Sequence, residues 1–286
     1  MATLRDIRRR INSVKSTQQI TRAMKMVAAA RLRHAQEAVE QARPYAYRLQ
    51  SVVSSLVLRA EKDLHPLLDV REPKRTDLVV VTSDRGLCGG FNSNILRHAM
   101  EYINAEAGGK EISLTLLGRK AREFFRRRRF VPNNVHIGIS EDITYHSASI
   151  VVDELVQDYS QEKRDELVFI YNEFKSAIQQ KVVVEKLLPF TPIEPDEDRV
   201  VIDYLYEPSE GAVLDDLLEK HLRIQVYRIL LESSASEHGA RMTAMDSATN
   251  NADDMIATLT LHYNRARQAA ITNELIEIVS GAEALK

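Results

Sequence analysis

Residues 4–56 read LRDIRRRINSVKSTQQITRAMKMVAAARLRHAQEAVEQARPYAYRLQSVVSSL. Stepping alternately three and four residues gives Leu4, Ile7, Ile11, Val14, Gln18, Thr21, Lys25, Ala28, Leu32, Ala35, Val39, Ala42, Ala46, Leu49, Val53 and Leu56. This spacing keeps one stripe of an α-helix turned toward a partner, as in a coiled-coil seam. The same steps recur near the other end of the chain: Leu214, Leu217, His221, Ile224, Arg228, Leu231, Ala235, His238, Met242, Met245, Thr249, Ala252, Ile256, Leu259, Tyr263, Ala266 and Ala270. At 1.5 Å per residue the two helices span roughly 80 Å and roughly 100 Å, far beyond a globular helix. Two such stripes at opposite ends of a chain are buried most simply against each other, antiparallel. Pro44 is expected to bend or break the first helix, because it removes one i to i−4 bond.

The chain has 286 residues and a formal net charge of −2, which argues against a wholesale polyanion binder. Its start is nevertheless basic: residues 1–33 hold nine Lys or Arg against one acid, Asp6. A transit peptide shares that composition. The seam register continues through it into Leu32, so a structural helix is expected instead. No apolar run is long enough to span a membrane and no secretory core is present, so neither spanning nor export is expected. The one cysteine, Cys88, excludes an internal disulfide.

Between the two long helices the period changes. Residues 76–83 (TDLVVVTS) form a short β-branched run suited to a strand buried on both faces. The loop Asp84 to Gly90 follows, then helical spacing from Asn92 to about Glu106. Further strands are expected at 112–117, 135–139, 167–171 and 182–187, with helices at 119–129 and 147–159. Alternating strands and helices predict a mainly parallel sheet, a Rossmann-like α/β domain. Pro189, Pro192 and Pro195 with Asp196, Glu197 and Asp198 read as an acidic linker back to the second long helix. The expected organisation is thus a coiled-coil helix over 1–60, an α/β domain over 75–195 and a second coiled-coil helix over 208–286.

A glycine loop between strand and helix is where a phosphate sits in nucleotide-binding folds. Gly86, Gly89 and Gly90 have neither the G-x-G-x-x-G spacing nor a G-K-[ST] ending, and a tight turn explains them. The eight histidines are scattered, with no H-x-x-x-H pair and no cysteine partners, so no metal site is expected. Arg126 to Arg129 reads as a solvated helix end. The seam itself is more informative. It turns polar at Gln18, Thr21 and Lys25, while Ile20, Met24 and Val27 stand off it, expected to point outward. After Ala270 the seam positions become Asn273 and Glu277, and Leu275, Ile278, Val279 and Ala282 occupy another face. An apolar tip of that length without a partner helix calls for an enclosing surface.

Five long segments carry a resemblance to one family. They are residues 20–29 (ITRAMKMVAA), 83–92 (SDRGLCGGFN), 203–208 (DYLYEP), 236–245 (SEHGARMTAM) and 263–275 (YNRARQAAITNEL). In this order they resemble the γ subunit of F-type ATP synthases of the bacterial type, over essentially the whole chain. The resemblance implies a rotor without catalytic residues or cofactors. It transmits torque between the proton-driven c ring and a ring of α and β subunits that performs the chemistry. By position, Met24, Lys25, Arg241, Arg267, Gln268, Thr272 and Glu274 match segments that face the catalytic ring. Tyr204, Tyr206 and Glu207 match a stretch near ε and the c-ring loops. The implied location is peripheral, on the cytoplasmic side of the cell membrane. The chloroplast branch inserts a cysteine pair that this sequence lacks, so thiol control is not expected. Two other readings of the same residues stand beside it: a nucleotide-binding α/β enzyme using Asp84 to Gly90, and a coiled-coil scaffold that homodimerises through 214–270.

Overall fold

The computed structural model describes residues 3–59, 65–106, 109–192, 207 and 209–283. The β-branched run forms β1 (Arg75–Val81), the middle strand of a five-stranded sheet. The other strands are β2 (Glu111–Leu117), β3 (Asn134–His136), β4 (Glu166–Phe174) and β5 (Gln180–Leu188). Their order is β3-β2-β1-β4-β5. The pairs β1–β2, β1–β4 and β2–β3 are parallel, and β5 returns antiparallel to β4.

The side chains of β1 alternate between two cores because successive Cβ atoms point to opposite faces. Leu78 and Val80 join Leu114, Leu116, Val168 and Ile170 under α2 (Phe91–Glu106) and α3 (Arg119–Arg127). Val79 and Val81 join Leu117, Leu167, Phe169 and Tyr171 on the other face, with α4 (Tyr145–Ser160). The start of α4 is held by a reciprocal cap: Ser147 N–H donates to Thr144 Oγ1 at 3.1 Å, and Thr144 N–H donates to Ser147 Oγ at 3.0 Å. On that face the core also takes Leu49, Val53 and Leu56 of α1 (Leu4–Val57) and Leu214, Leu218, Leu222, Val226, Ile229 and Leu230 of α5 (Glu210–Glu283).

Two compact units result, residues 1–28 with 242–286 and residues 29–241. In the first, the ends of α1 and α5 pair antiparallel. Gln18 Nε2 donates to Asp253 Oδ1, the hydroxyls of Thr21 and Thr249 meet at 2.8 Å, and Lys25 Nζ lies 2.5 Å from Asp246 Oδ1. A step of three or four along one helix is matched by a step of four or three backward along the other. In the second unit, α1 and α5 meet beside the sheet.

Three details differ from expectation. Helix α1 continues through Pro44 without a break. Pro44 and Glu40 are exposed, so the Glu40 carbonyl left without a donor lies on the solvent side of the helix, while Ala46 and Leu49 hold the next turn in the core. Phe190 is buried and its N–H reaches the Leu67 carbonyl at 3.3 Å, so Pro189 belongs to the core's edge rather than to a linker. Residues 195–198, the acidic part of that linker, lie outside the described residues. Finally, α5 between His221 and Arg241 is buried on nearly every side and not along one stripe.

Two glycines with positive φ allow a matched test. At Gly118 (φ 99) an added Cβ would lie 2.2 Å from the Thr82 carbonyl oxygen; at Gly138 (φ 88) it would meet nothing within 4 Å. Gly138→Ala should cost only the conformational penalty, about 1–2 kcal/mol. Gly118→Ala should cost clearly more, because β1 or β2 must move. Paired denaturant titrations check the order.

His221 is 4% exposed, packs edge-on to Phe190 at 5.1 Å and has no hydrogen-bond partner for Nδ1. Burial, then the positive charge of Arg228, push its pKa down to about 4. Below the ordinary 6.5 the unfolded chain takes up this proton and the folded chain does not, so this residue lowers stability as pH falls from 6.5 toward 4. Asp77, pushed up to about 6 by burial, has the opposite sign over the lower part of that window. Calorimetry of His221→Gln should therefore show a smaller drop in melting temperature between pH 6.5 and 4.5 than the parent shows.

Candidate functional site

In a doubly wound sheet, ligands bind beyond the carboxyl ends of the strands, where successive crossovers go to opposite faces. Here that point lies between β1 and β4. The loop after β1 is organised by its own side chains. Asp84 accepts from Arg119 N–H at 2.8 Å, Gly138 N–H at 3.0 Å and the Ser140 hydroxyl at 2.8 Å. The next two amides of α3 are also taken: Lys120 N–H by the Ser83 carbonyl at 3.1 Å and Ala121 N–H by Thr82 Oγ1 at 2.9 Å. Asn92 Oδ1 receives Ser83 N–H at 3.0 Å, and its amide lies 3.1 Å from Cys88 Sγ. Cys88 is 2% exposed, and burial pushes its thiol up from the ordinary value. The first turn of α3, after β2, is thus spent on the protein itself, and the side chains of the β1 loop are engaged with one another.

The mouth of the crevice is occupied by α5. Ser236 donates to the Asn172 carbonyl at the end of β4 at 3.1 Å. An added Cβ on Gly239 would come 2.9 Å from the Ala177 carbonyl oxygen in the turn after β4. Arg241 reaches the carbonyls of Arg85 at 3.4 Å and Gly86 at 3.3 Å, in the loop after β1. Its guanidinium also pairs with Glu237 at 2.7 Å. Arg241, expected at a partner surface, is therefore only 9% exposed and holds the β1 loop against α5. Burial raises the Glu237 carboxyl above its ordinary range; burial and the charges of Arg241 and Arg31 bring His238 down to about 4.

The remaining expected site residues lie on the paired helix ends. Lys25 is half-buried and its ion pair with Asp246 is solvated, with side-chain exposures of 41% and 46%. Such a pair contributes about 0–1 kcal/mol. Met24 is also half-buried, whereas Ile20, Met26 and Val27 are more than half exposed. The outward apolar strip thus runs through Met26 and not through Met24, because Met24 lies beside the seam residues Thr21, Lys25 and Ala28. Arg267, Gln268, Thr272 and Glu274 are exposed, with the Thr272 hydroxyl on the Gln268 carbonyl at 2.9 Å. Seam burial ends at Ala270. Beyond it Ile271, Leu275, Ile276, Ile278 and Val279 are about half or more exposed. Tyr204 and Tyr206 lie outside the described residues, and Glu207 is exposed. The sequence reading missed a buried charge cluster around Arg228 and Glu232. Its one visible signal was arginine at a seam position.

Among the described residues no helix is long and apolar enough to cross a membrane, and no three His, Cys, Asp or Glu side chains group as metal ligands. A sequence-family model described as ATP synthase matches residues 3–285. The ATP synthase gamma chain of Geobacter sp. (strain M21) is 54% identical over 287 residues, with 100% of each chain covered. That of Pelotomaculum thermopropionicum is 50% identical over 286 residues, again with 100% of each covered. Among solved structures, a chain from the central stalk and c-ring of the Tetrahymena thermophila mitochondrial ATP synthase superposes with a TM-score of 0.62 at 28% identity. The match covers 80% of this chain and 99% of that one. A chain of the Euglena gracilis enzyme shares the fold, with a TM-score of 0.73 at 21% identity over 99% and 94% of the two chains. From end to end, the chain belongs to the γ subunit family of F-type ATP synthases, the non-catalytic rotor of the central stalk.

Proposed function

We propose that this rotor takes up torque from a proton-driven c ring, through contacts that include ε, and delivers it to a catalytic ring of α and β subunits. Residues 1–60 and 208–286 would serve as the shaft and 75–195 as the side domain, peripheral on the cytoplasmic side of the cell membrane. The observation that carries this reading is the end of α5. Past Ala270 it continues as helix with no partner among the described residues and exposes a run of large apolar side chains. A surface of that kind calls for an enclosing apolar collar. Thr272, Glu274, Arg267 and Gln268 would meet such a collar, and Met24 and Lys25 an acidic loop of β. Arg241 would act from within, by fixing the β1 loop. Tyr204, Tyr206 and Glu207 would face ε and the c-ring loops.

A contact remade on every turn has to be weak, and pairs made by exposed side chains such as Arg267 and Glu274 would meet that condition where a dry ion pair would not. The driving effect is then steric, exerted by the bulk of an asymmetric shaft.

Met24→Lys places a second ammonium beside Lys25. An added ion pair with a stator loop would deepen one angular position and raise the barrier to leaving it, tenfold in rate for each 1.4 kcal/mol or so. ATP hydrolysis in inverted membrane vesicles should persist while ATP-driven proton pumping falls disproportionately. Equal loss of both, or loss of neither, counts against the contact. The enzyme reading is tested separately: calorimetric titration of the isolated chain with ATP should give no stoichiometric binding, since α5 fills the crevice.

A further inference from the structure

Within the unit formed by residues 29–241, α1, β4, β5 and α5 meet at a buried ionic network. Arg228 is 6% exposed and Glu232 is 0% exposed. The Arg228 guanidinium donates to Glu185 Oε1 at 2.7 Å, Glu232 Oε1 at 3.3 Å, the Tyr171 hydroxyl at 3.2 Å and Gln225 Oε1 at 2.8 Å. From α1, Arg43 donates to the same Glu232 oxygen at 3.2 Å and to the Phe174 carbonyl at 2.8 Å. Tyr171 donates in turn to Glu185 Oε2 at 2.6 Å; burial holds its hydroxyl well above the usual titration range. Two arginines from two helices therefore share one carboxylate oxygen, while Glu232 Oε2 and Gln225 Nε2 have no hydrogen-bond partner.

Stability does not account for this arrangement. Taking several charges out of water costs more than the pairs return unless every polar atom is satisfied, and here two are not. Well-packed apolar replacements of such clusters are often neutral or stabilising. Register is the better-attested use of buried polar groups. Apolar contact is non-directional, so the core that packs α5 resists separation better than it resists a slide or twist. Forked, charge-assisted bonds have one geometry. These tie α5 to α1 through Arg43, to β4 through Tyr171 and to β5 through Glu185.

We infer that Arg43, Arg228, Glu232 and Glu185 lock the axial and angular register of the two long helices against the β4–β5 hairpin. They are positioning residues for torque passing between the sheet domain and the helices. The inference rests on the rotor reading above. Its test uses the purified complex assembled around this chain and reconstituted in vesicles, with protons pumped per ATP hydrolysed as the readout. The triple change Arg43→Met, Arg228→Met and Glu232→Leu removes the mutually paired charges and leaves the partly exposed Glu185 to water. This variant should melt at or above the parent temperature and keep hydrolysing ATP, while pumping per ATP drops severalfold. The single change Glu232→Gln, which leaves both arginines without their shared carboxylate, should lower melting as well as coupling. Unchanged pumping per ATP in the triple variant overturns the inference. So does a failure to assemble, or a proportional fall of melting, hydrolysis and pumping, since each marks a purely structural role. If the unsubstituted chain gives a complex that hydrolyses without pumping, the rotor reading fails instead.

Discussion

The structure depends on the burial of one helix, α5, in three successive surroundings. From His221 to Arg241 it is enclosed by sheet and α1 together. From Met242 to Ala270 it shows one buried stripe to one partner, and after Ala270 it shows none. Each surrounding sets what the sequence must contain. Enclosure demands apolar residues all round or paired charges, the two-helix stretch demands the three-and-four spacing, and the free end imposes neither.

That dependence explains what was legible in advance. Where one stripe decides burial, the spacing identified it: Thr21, Ala28, Leu32, Val39, Ala46, Leu49, Val53 and Leu56 are all buried seam positions. The strands were legible for a similar reason, since β1 and β4 are covered on both faces and carry unbroken β-branched or aromatic runs. Periodicity has no way to represent a third body on the same helix. The sheet lying along α5 was therefore missed, and with it the internal setting of Arg241 and the cluster at Arg228. Met24 and Met26 lie about 200° apart around the helix, so the face with Met26 is exposed while Met24 sits beside the seam. Helix α1 runs through Pro44 without the break that was one of the two expected outcomes, since the cost of the missing N–H depends on whether the Glu40 carbonyl is open to water.

The α/β domain also separates fold from chemistry. Its sheet order and its reversal point between β1 and β4 are those of folds that hold nucleotides. In this chain the carbonyls of Arg85 and Gly86 in the loop at that point bond to Arg241, and the first amides of the neighbouring α3 bond to Asp84, Ser83 and Thr82. The same geometry that elsewhere receives a ligand here receives a helix of the same polypeptide, which makes the sheet a clamp rather than a catalyst.

The bare end of α5 has a consequence for the life of the protein in a cell. Ile271, Leu275, Ile276, Ile278 and Val279 present to solvent a surface that another copy, or any nascent chain, can cover as well as the intended collar can. A copy synthesised in excess of its partners is thus a seed for aggregation and a ready substrate for chaperones and proteases. Supply of this subunit has to be matched to supply of whatever encloses it, a demand written into the last turns of one helix.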